Sequence, residues 1–377
     1  MATSSPVRFK SPLHEMVSTT ATDFWNDSCS IEELTYAIEH GAVGATCNPV
    51  IAVEVVKKEL AYWTGRIKAL AAEHAAATEG ELAWRVIEEM SASRAAMLRP
   101  IFEAHNGRNG RLSIQTDPRM FRDGPGILRQ AIHFDALAPN MIVKIPATFA
   151  GIWAIEEASA RGISINATVS FSVPQALAVA EAVERGLRRR ERDGHDISTM
   201  GSVCTIMVGR LDDWLKVVAD KQVVTVDPGY LEWAGVAVFK NAYQFYHSRG
   251  YRLRLLSAAF RNHMHWSELV GGDVVISPPH VWQKRFNCCD IEVKPRIDAP
   301  VASQIVDELL RKFVDFRRAY EPDGLAPAEF DSFGPTIRTL RQFSEACHDL
   351  ERFVRDIVLS NPDVALSPPK DHQNPSR

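Results

Sequence analysis

No stretch of this 377-residue chain approaches the ~20 consecutive apolar residues that a membrane-crossing helix requires. Residues 1–16 mix Ser, Pro, Lys and Glu without an apolar segment, so no secretory signal is expected there. Excess charge is missing too. With 43 basic and 47 acidic side chains, the formal net charge of -4 gives little field to hold nucleic acid or anionic lipid. Cysteine is sparse, with no CxxC pair and no secreted-type framework. Cys29, Cys47, Cys204, Cys288, Cys289 and Cys347 are therefore expected as reduced thiols of a cytoplasmic protein. A Gly-rich dinucleotide turn is also absent, since Gly41-Ala42-Val43-Gly44 lacks the spacing that motif needs.

What remains is an ordinary globular balance, 46% apolar and 24% charged, which argues against disorder over most of the chain. Short apolar runs at 23–27, 43–47, 111–116, 141–145, 164–169, 203–207, 252–258 and 273–276 read as strands. Between them, 31–40, 82–104, 126–137, 151–161, 174–190 and 230–248 have helical apolar spacing. Eight such β-then-α units in about 260 residues fit a (β/α)8 TIM barrel better than an open doubly wound sheet. Past the eighth strand, 301–320 and 336–359 carry helical spacing alone. The expected organisation is a partly disordered leader at 1–20, a catalytic barrel at 21–290, C-terminal helices at 291–360 packed on the barrel, and a disordered tail at 361–377.

Parity locates the chemistry. Residues i and i+2 of a strand share a face, and in a small barrel one face looks into the lumen. Ser113 and Gln115 share a parity, as do Ser164, Asn166 and Thr168, and Thr205 and Met207 alternate near the next strand's end. Asp27 ends the first strand and Asn48 follows the second, so polar groups gather at the strand C-termini, where barrel enzymes build their sites. Lys144 stands out in the otherwise apolar run Met141 to Pro146. Inside a barrel its ammonium would be desolvated, giving an amine able to attack a carbonyl. A buried ion pair with Asp27 would explain it without chemistry, and residue pattern alone leaves both readings open.

Six segments then appear in order: Phe24-Trp25-Asn26-Asp27-Ser28, Ala45-Thr46-Cys47-Asn48-Pro49, Val143-Lys144-Ile145-Pro146-Ala147-Thr148, Ile165 to Ser172, Val208 to Trp214, and Ala259-Phe260-Arg261-Asn262. Together they resemble the transaldolases, class I aldolase-type barrels that need no metal or cofactor. Those enzymes move a dihydroxyacetone unit between sugar phosphates in the pentose phosphate pathway. The resemblance implies that Lys144 forms the Schiff base, Asp27 is the general acid/base, and Thr168 positions a water. It further implies that Asn48 and Asn166 bind substrate hydroxyls and that Thr205 lines the same pocket. Arg210 and Arg261 would hold the phosphate, a task suited to planar guanidinium groups. Sugar phosphates are the expected partners, without nucleic acid or membrane, and composition leaves the oligomeric state open, a homodimer included.

Three departures matter. Gln115 stands where the family usually has a glutamate, and an amide cannot transfer a proton as a carboxyl does. Related fructose 6-phosphate aldolases carry glutamine there, so simple cleavage is an alternative to transfer. A catalytically silent sugar-phosphate-binding protein is another. Met207 replaces a common aromatic residue, and Cys47 a usual threonine. His263-Met264-His265 resembles a metal-binding HxH but lacks the further ligands such a site needs, so packing or a place at the pocket rim is the preferred reading.

Overall fold

The computed structural model describes residues 9–365. Eight parallel strands lie in chain order: β1 (Asp23–Phe24), β2 (Gly44–Cys47), β3 (Arg111–Gln115), β4 (Met141–Pro146), β5 (Ile165–Ser170), β6 (Val203–Ile206), β7 (Arg254–Ala258) and β8 (Val275–Ser277). Neighbours in sequence pair, and β1 pairs with β8. Between β1 and β2 a bridge joins Asn26 to Ala45, with the Asn26 N–H donating to Gly44 at 2.8 Å and the Thr46 N–H donating to Asn26 at 2.9 Å. The result is the (β/α)8 barrel that the strand count implied. The regular part of β1 is shorter than the expected 23–27: past Phe24 the Trp25 N–H still donates to the Ile276 carbonyl at 2.8 Å, and Asn26 then pairs with β2 through that bridge.

Every residue of β2 to β8 is buried, since helices cover one face and the lumen encloses the other. Trp25, Ile142, Val203, Leu256 and Val275 pack into an apolar layer inside the barrel. A Cβ at Gly44 would lie 2.6 Å from the Trp25 ring, so glycine there leaves the space that the indole occupies. Below this layer Arg254 closes the floor. Its Nη1 donates to Asp23 Oδ2 at 2.5 Å and its Nη2 to Asn109 Oδ1 at 3.2 Å.

At the opposite end the strand-to-helix turns are capped. Asn48 Oδ1 accepts from the Ile51 N–H at 3.0 Å, Thr148 Oγ1 from Gly151 at 3.0 Å, and Ser172 Oγ from Gln175 at 3.2 Å. Each cap satisfies a backbone donor that the helix itself leaves unpaired, a contribution of about 1 kcal/mol. Two further helices, Pro49–Lys58 and Leu60–Glu73, lie between β2 and the helix Glu79–Ala104, outside the helical runs named from the sequence.

The apolar run at 301–320 forms two helices, Ser303–Lys312 and Val314–Tyr320, because Phe313 is extended (φ -121, ψ 108) and turns its ring into the core. The last long helix, Gly334–Val358, packs on Pro49–Lys58, on Glu79–Ala104 and on the end of β5, crossing the rim at the strand C-termini. Arg119 to Glu351 and Arg355 to Glu79, both at 2.8 Å, pin it there. Within the expected leader, Pro12–Thr19 forms a helix capped by Ser11. Residues 1–8, and the expected tail from 366 onward, lie outside the described residues. In the arginine-rich 185–192 run, Arg185 and Arg189 pair with Glu156 and Glu157 on the neighbouring helix rather than forming a free basic patch.

Candidate active site

Register aligns the polar lumen residues. Gln115 lies beside Lys144, Lys144 beside Asn166, and Pro146 beside Thr168. Lys144 is 3% exposed, yet among the described residues its Nζ has no hydrogen bond and no carboxylate within 4 Å. The structural reading of Lys144 as one half of an ion pair with Asp27 is therefore not realised. Burial pushes the amine below its ordinary pKa, Asp27 pulls it back up, and the Arg210 charge pushes it down. The balance of these effects makes the neutral amine easier to form than on an exposed lysine.

Asp27, half-buried just past β1, accepts from Thr46 Oγ1 at 2.5 Å. Thr46 was quoted in the sequence only as part of a motif. Its parity with Asn48 across the closing pair β1 and β2 was the signal for a role beside Asp27. Asn48 uses its oxygen as the helix cap described above, and its Nδ2 has no donor contact among the described residues. Asn166 and Thr205 are tied together deeper in the lumen. The Thr205 hydroxyl donates to Asn166 Oδ1 at 2.7 Å, and Asn166 Nδ2 donates to Ser113 Oγ at 3.0 Å. By contrast, Gln115 Oε1 and Thr168 Oγ1 are buried without any hydrogen-bond partner. Buried polar atoms are ordinarily paired with protein or water, so both remain available to a further hydrogen-bond partner in the lumen.

Backbone strain falls in the same place. Val169, directly after Thr168, has φ 52, a left-handed conformation that a β-branched side chain rarely adopts, and the β5–β6 register shifts there. Gln175 Nε2 steadies the segment by donating to the carbonyls of Val169 and Ala147 at 3.1 Å each. Sequence periodicity gave no hint of this brace.

The arginines stand above the amine. Arg210 is on the helix Val208–Lys221 that follows β6, and Arg261 is in the loop after β7. Both line a cavity of about 430 Å³ at the barrel mouth. A Cβ at Gly209 would lie 2.1 Å from the Ala259 carbonyl oxygen, so the two elements approach this closely only with glycine there. Burial draws the Arg210 guanidinium down to about 10, with the Arg261 charge adding to the effect. The HxH motif proves to brace the backbone at Arg261. His265 Nδ1 accepts from the Arg261 N–H at 3.0 Å, which leaves its Nε2 proton for Asp212 Oδ2 at 2.8 Å. Burial raises the Asp212 carboxyl, with His265 opposing. No group of three or more His, Cys, Asp or Glu side chains among the described residues is placed to hold a metal.

All nine sequence-selected residues thus sit at or near one end of one barrel. An unpaired amine feels the charges of Asp27 and Arg210, and a cavity lined by guanidinium groups opens at the same end of the barrel. This arrangement suits addition to the carbonyl of a substrate that carries an anionic group.

Comparisons with known proteins place the chain in a family. A profile of the family described as Transaldolase/Fructose-6-phosphate aldolase matches residues 24–320. The transaldolase of Thermobifida fusca is 35% identical over 211 residues, 54% of this chain and 56% of that protein. The transaldolase of Saccharopolyspora erythraea is 32% identical over 238 residues, 60% of this chain and 62% of that one. The transaldolase of Mycolicibacterium smegmatis is 35% identical over 200 residues, 52% and 53% of the two chains. The match thus spans little more than half the length of these relatives. Since the family profile runs from the first barrel strand to beyond the last, and the barrel has the geometry just described, the chain belongs to the transaldolase/fructose-6-phosphate aldolase family.

Proposed function

We propose that this protein is a transaldolase. It would transfer a dihydroxyacetone unit from sedoheptulose 7-phosphate or fructose 6-phosphate to an aldose phosphate such as erythrose 4-phosphate or glyceraldehyde 3-phosphate. The observation that carries the reading is Lys144, buried in the lumen with no partner for its amine. Lys144 Nζ adds to the ketose carbonyl, and loss of water gives a protonated imine. Asp27 takes the hydroxyl proton as the carbon–carbon bond breaks, the imine accepts the electron pair, and the aldose phosphate leaves. Addition of the bound three-carbon unit to an acceptor aldehyde, then hydrolysis, returns the free amine. Thr46 holds the Asp27 carboxylate, and Thr168 and Gln115 offer unpaired atoms to a water that enters and leaves with the imine. Arg210 and Arg261 receive the phosphate. The free thiols accord with a reducing, cytoplasmic setting, and no helix among the described residues is long and apolar enough to cross a membrane.

Gln115 favours a second reading, simple aldol cleavage, because its unpaired carboxamide oxygen can orient a water but cannot carry a proton through it. A coupled assay separates the two. Transfer predicts that fructose 6-phosphate yields glyceraldehyde 3-phosphate only when erythrose 4-phosphate is supplied, whereas release without an acceptor establishes cleavage. Gln115→Glu is expected to move that ratio toward transfer by at least about tenfold if proton relay at this position sets it.

A further inference from the structure

The cavity at the barrel mouth has walls of two origins. Arg210, Asp213 and Arg261 come from the barrel, and Arg338, Arg341 and Glu345 from the C-terminal helix Gly334–Val358. Four guanidinium groups therefore face two carboxylates. One of those is taken, since Asp213 Oδ2 accepts from Arg261 Nε at 2.9 Å and from its Nη2 at 2.8 Å. Arg338 has no hydrogen bond or ion pair among the described residues, and it lies near enough to Arg210 for the two charges to repel. Arg210 Nε is buried without a partner. Like charges gathered around one open cavity repel, and an anion that enters it relieves the repulsion.

The same helix also fixes how Arg210 points. Arg210 Nη1 donates to Gln342 Oε1 at 2.7 Å and to Thr339 Oγ1 at 3.3 Å, and its guanidinium lies 5.3 Å from the Phe343 ring centroid. Thr339, Gln342 and Phe343 hold one side of the group and Nε is buried, which leaves Nη2, without a hydrogen bond among the described residues, as the donor free for the cavity.

We propose that Arg338, on the C-terminal helix, is a third guanidinium of the anion site and acts with Arg210 and Arg261 on the phosphate monoester of the sugar substrate. The proposal rests on the sugar-phosphate reading above and makes the C-terminal helix part of substrate recognition. A phosphate monoester dianion offers one terminal oxygen to each of three guanidinium groups and carries about twice the charge of a carboxylate.

Titration of the full-length protein with inorganic phosphate tests this without requiring turnover. Arg338→Gln is expected to weaken phosphate binding about tenfold and Arg338→Lys only a few-fold, since lysine keeps the charge and loses the planar fork. The KM for fructose 6-phosphate should rise in parallel with the phosphate constant. The melting temperature should stay put, because Arg338 is exposed and touches no partner. Phosphate affinity in Arg338→Gln equal to that of the wild type would overturn the proposal, as would a wild type that does not bind phosphate. If Arg338→Gln weakens phosphate while no imine ever forms, the anion site stands and the sugar-transfer reading alone is lost.

Discussion

The two ends of the barrel lumen treat charge in opposite ways. At the floor, Arg254 meets Asp23 at 2.5 Å and Asn109 at 3.2 Å, and Arg111 donates to the carbonyls of Gly107, Met141 and Thr199. At the mouth, the Lys144 amine, Gln115 Oε1, Thr168 Oγ1 and Arg210 Nε have no protein partner among the described residues. Burial is severe at both ends, so desolvation alone does not separate them. What differs is compensation. A barrel can close its floor with matched pairs because nothing has to enter there, whereas at the mouth those four atoms stay without a protein partner even though Arg261 is paired with Asp213 and Asp27 with Thr46.

Substitutions at the two ends should therefore fail in different ways. The largest expected effect is at Lys144. Lys144→Met should lower turnover by more than about 10⁴-fold, since among the described residues no other strand of the barrel carries a lysine to form the imine. Stability should not suffer, because the change removes a buried amine without a partner. The pH dependence gives a second check. With its pKa held below the ordinary value by burial, Lys144 carries less proton in the folded than in the unfolded chain between those two values. Stability should thus rise with pH across that window and fall as pH drops toward the lowered value. Denaturant unfolding at several alkaline pH values should show the slope in the wild type and lose it in Lys144→Met.

The floor should answer in reverse. Arg254→Ala leaves Asp23 without its close partner and is expected to cost about 3 kcal/mol in equilibrium unfolding. The kcat per folded molecule should hold, because the apolar layer of Trp25, Ile142, Val203, Leu256 and Val275 separates that pair from the mouth. A large fall in kcat at unchanged stability would erase the contrast between the two ends. The smallest effect is expected from Thr46→Val, which keeps the shape and removes the donor to Asp27. A loss of about tenfold in kcat/KM, the scale of one hydrogen bond to a charged group, is expected, with pre-steady-state rates locating it in the bond-breaking step.

Much of this contrast was legible in the chain, and unevenly. Strand parity exposed the mouth, since Lys144 in an apolar run and alternating Asn166 and Thr168 are patterns of period two within single segments. The resemblance to transaldolases added the arginines. Arg254 with Asp23 was not legible, because those residues are 231 apart and meet only when the barrel closes. The same holds for His265 with Asp212, where a local HxH pattern drew attention to metal although its partner lay 53 residues away. For the helix Gly334–Val358, apolar spacing declared one buried face without saying what that face would cover. Its seat across the rim depends on Arg119, Arg355 and Arg210 finding Glu351, Glu79 and Gln342, pairings that no single segment announces.

The most direct measurement is borohydride reduction of the wild-type protein in the presence of fructose 6-phosphate, followed by peptide mass mapping. The amine at the mouth predicts one reduced adduct, on the peptide containing Lys144, that is absent from Lys144→Met. An unmodified Lys144 peptide, or an adduct carried by a different lysine, would contradict it.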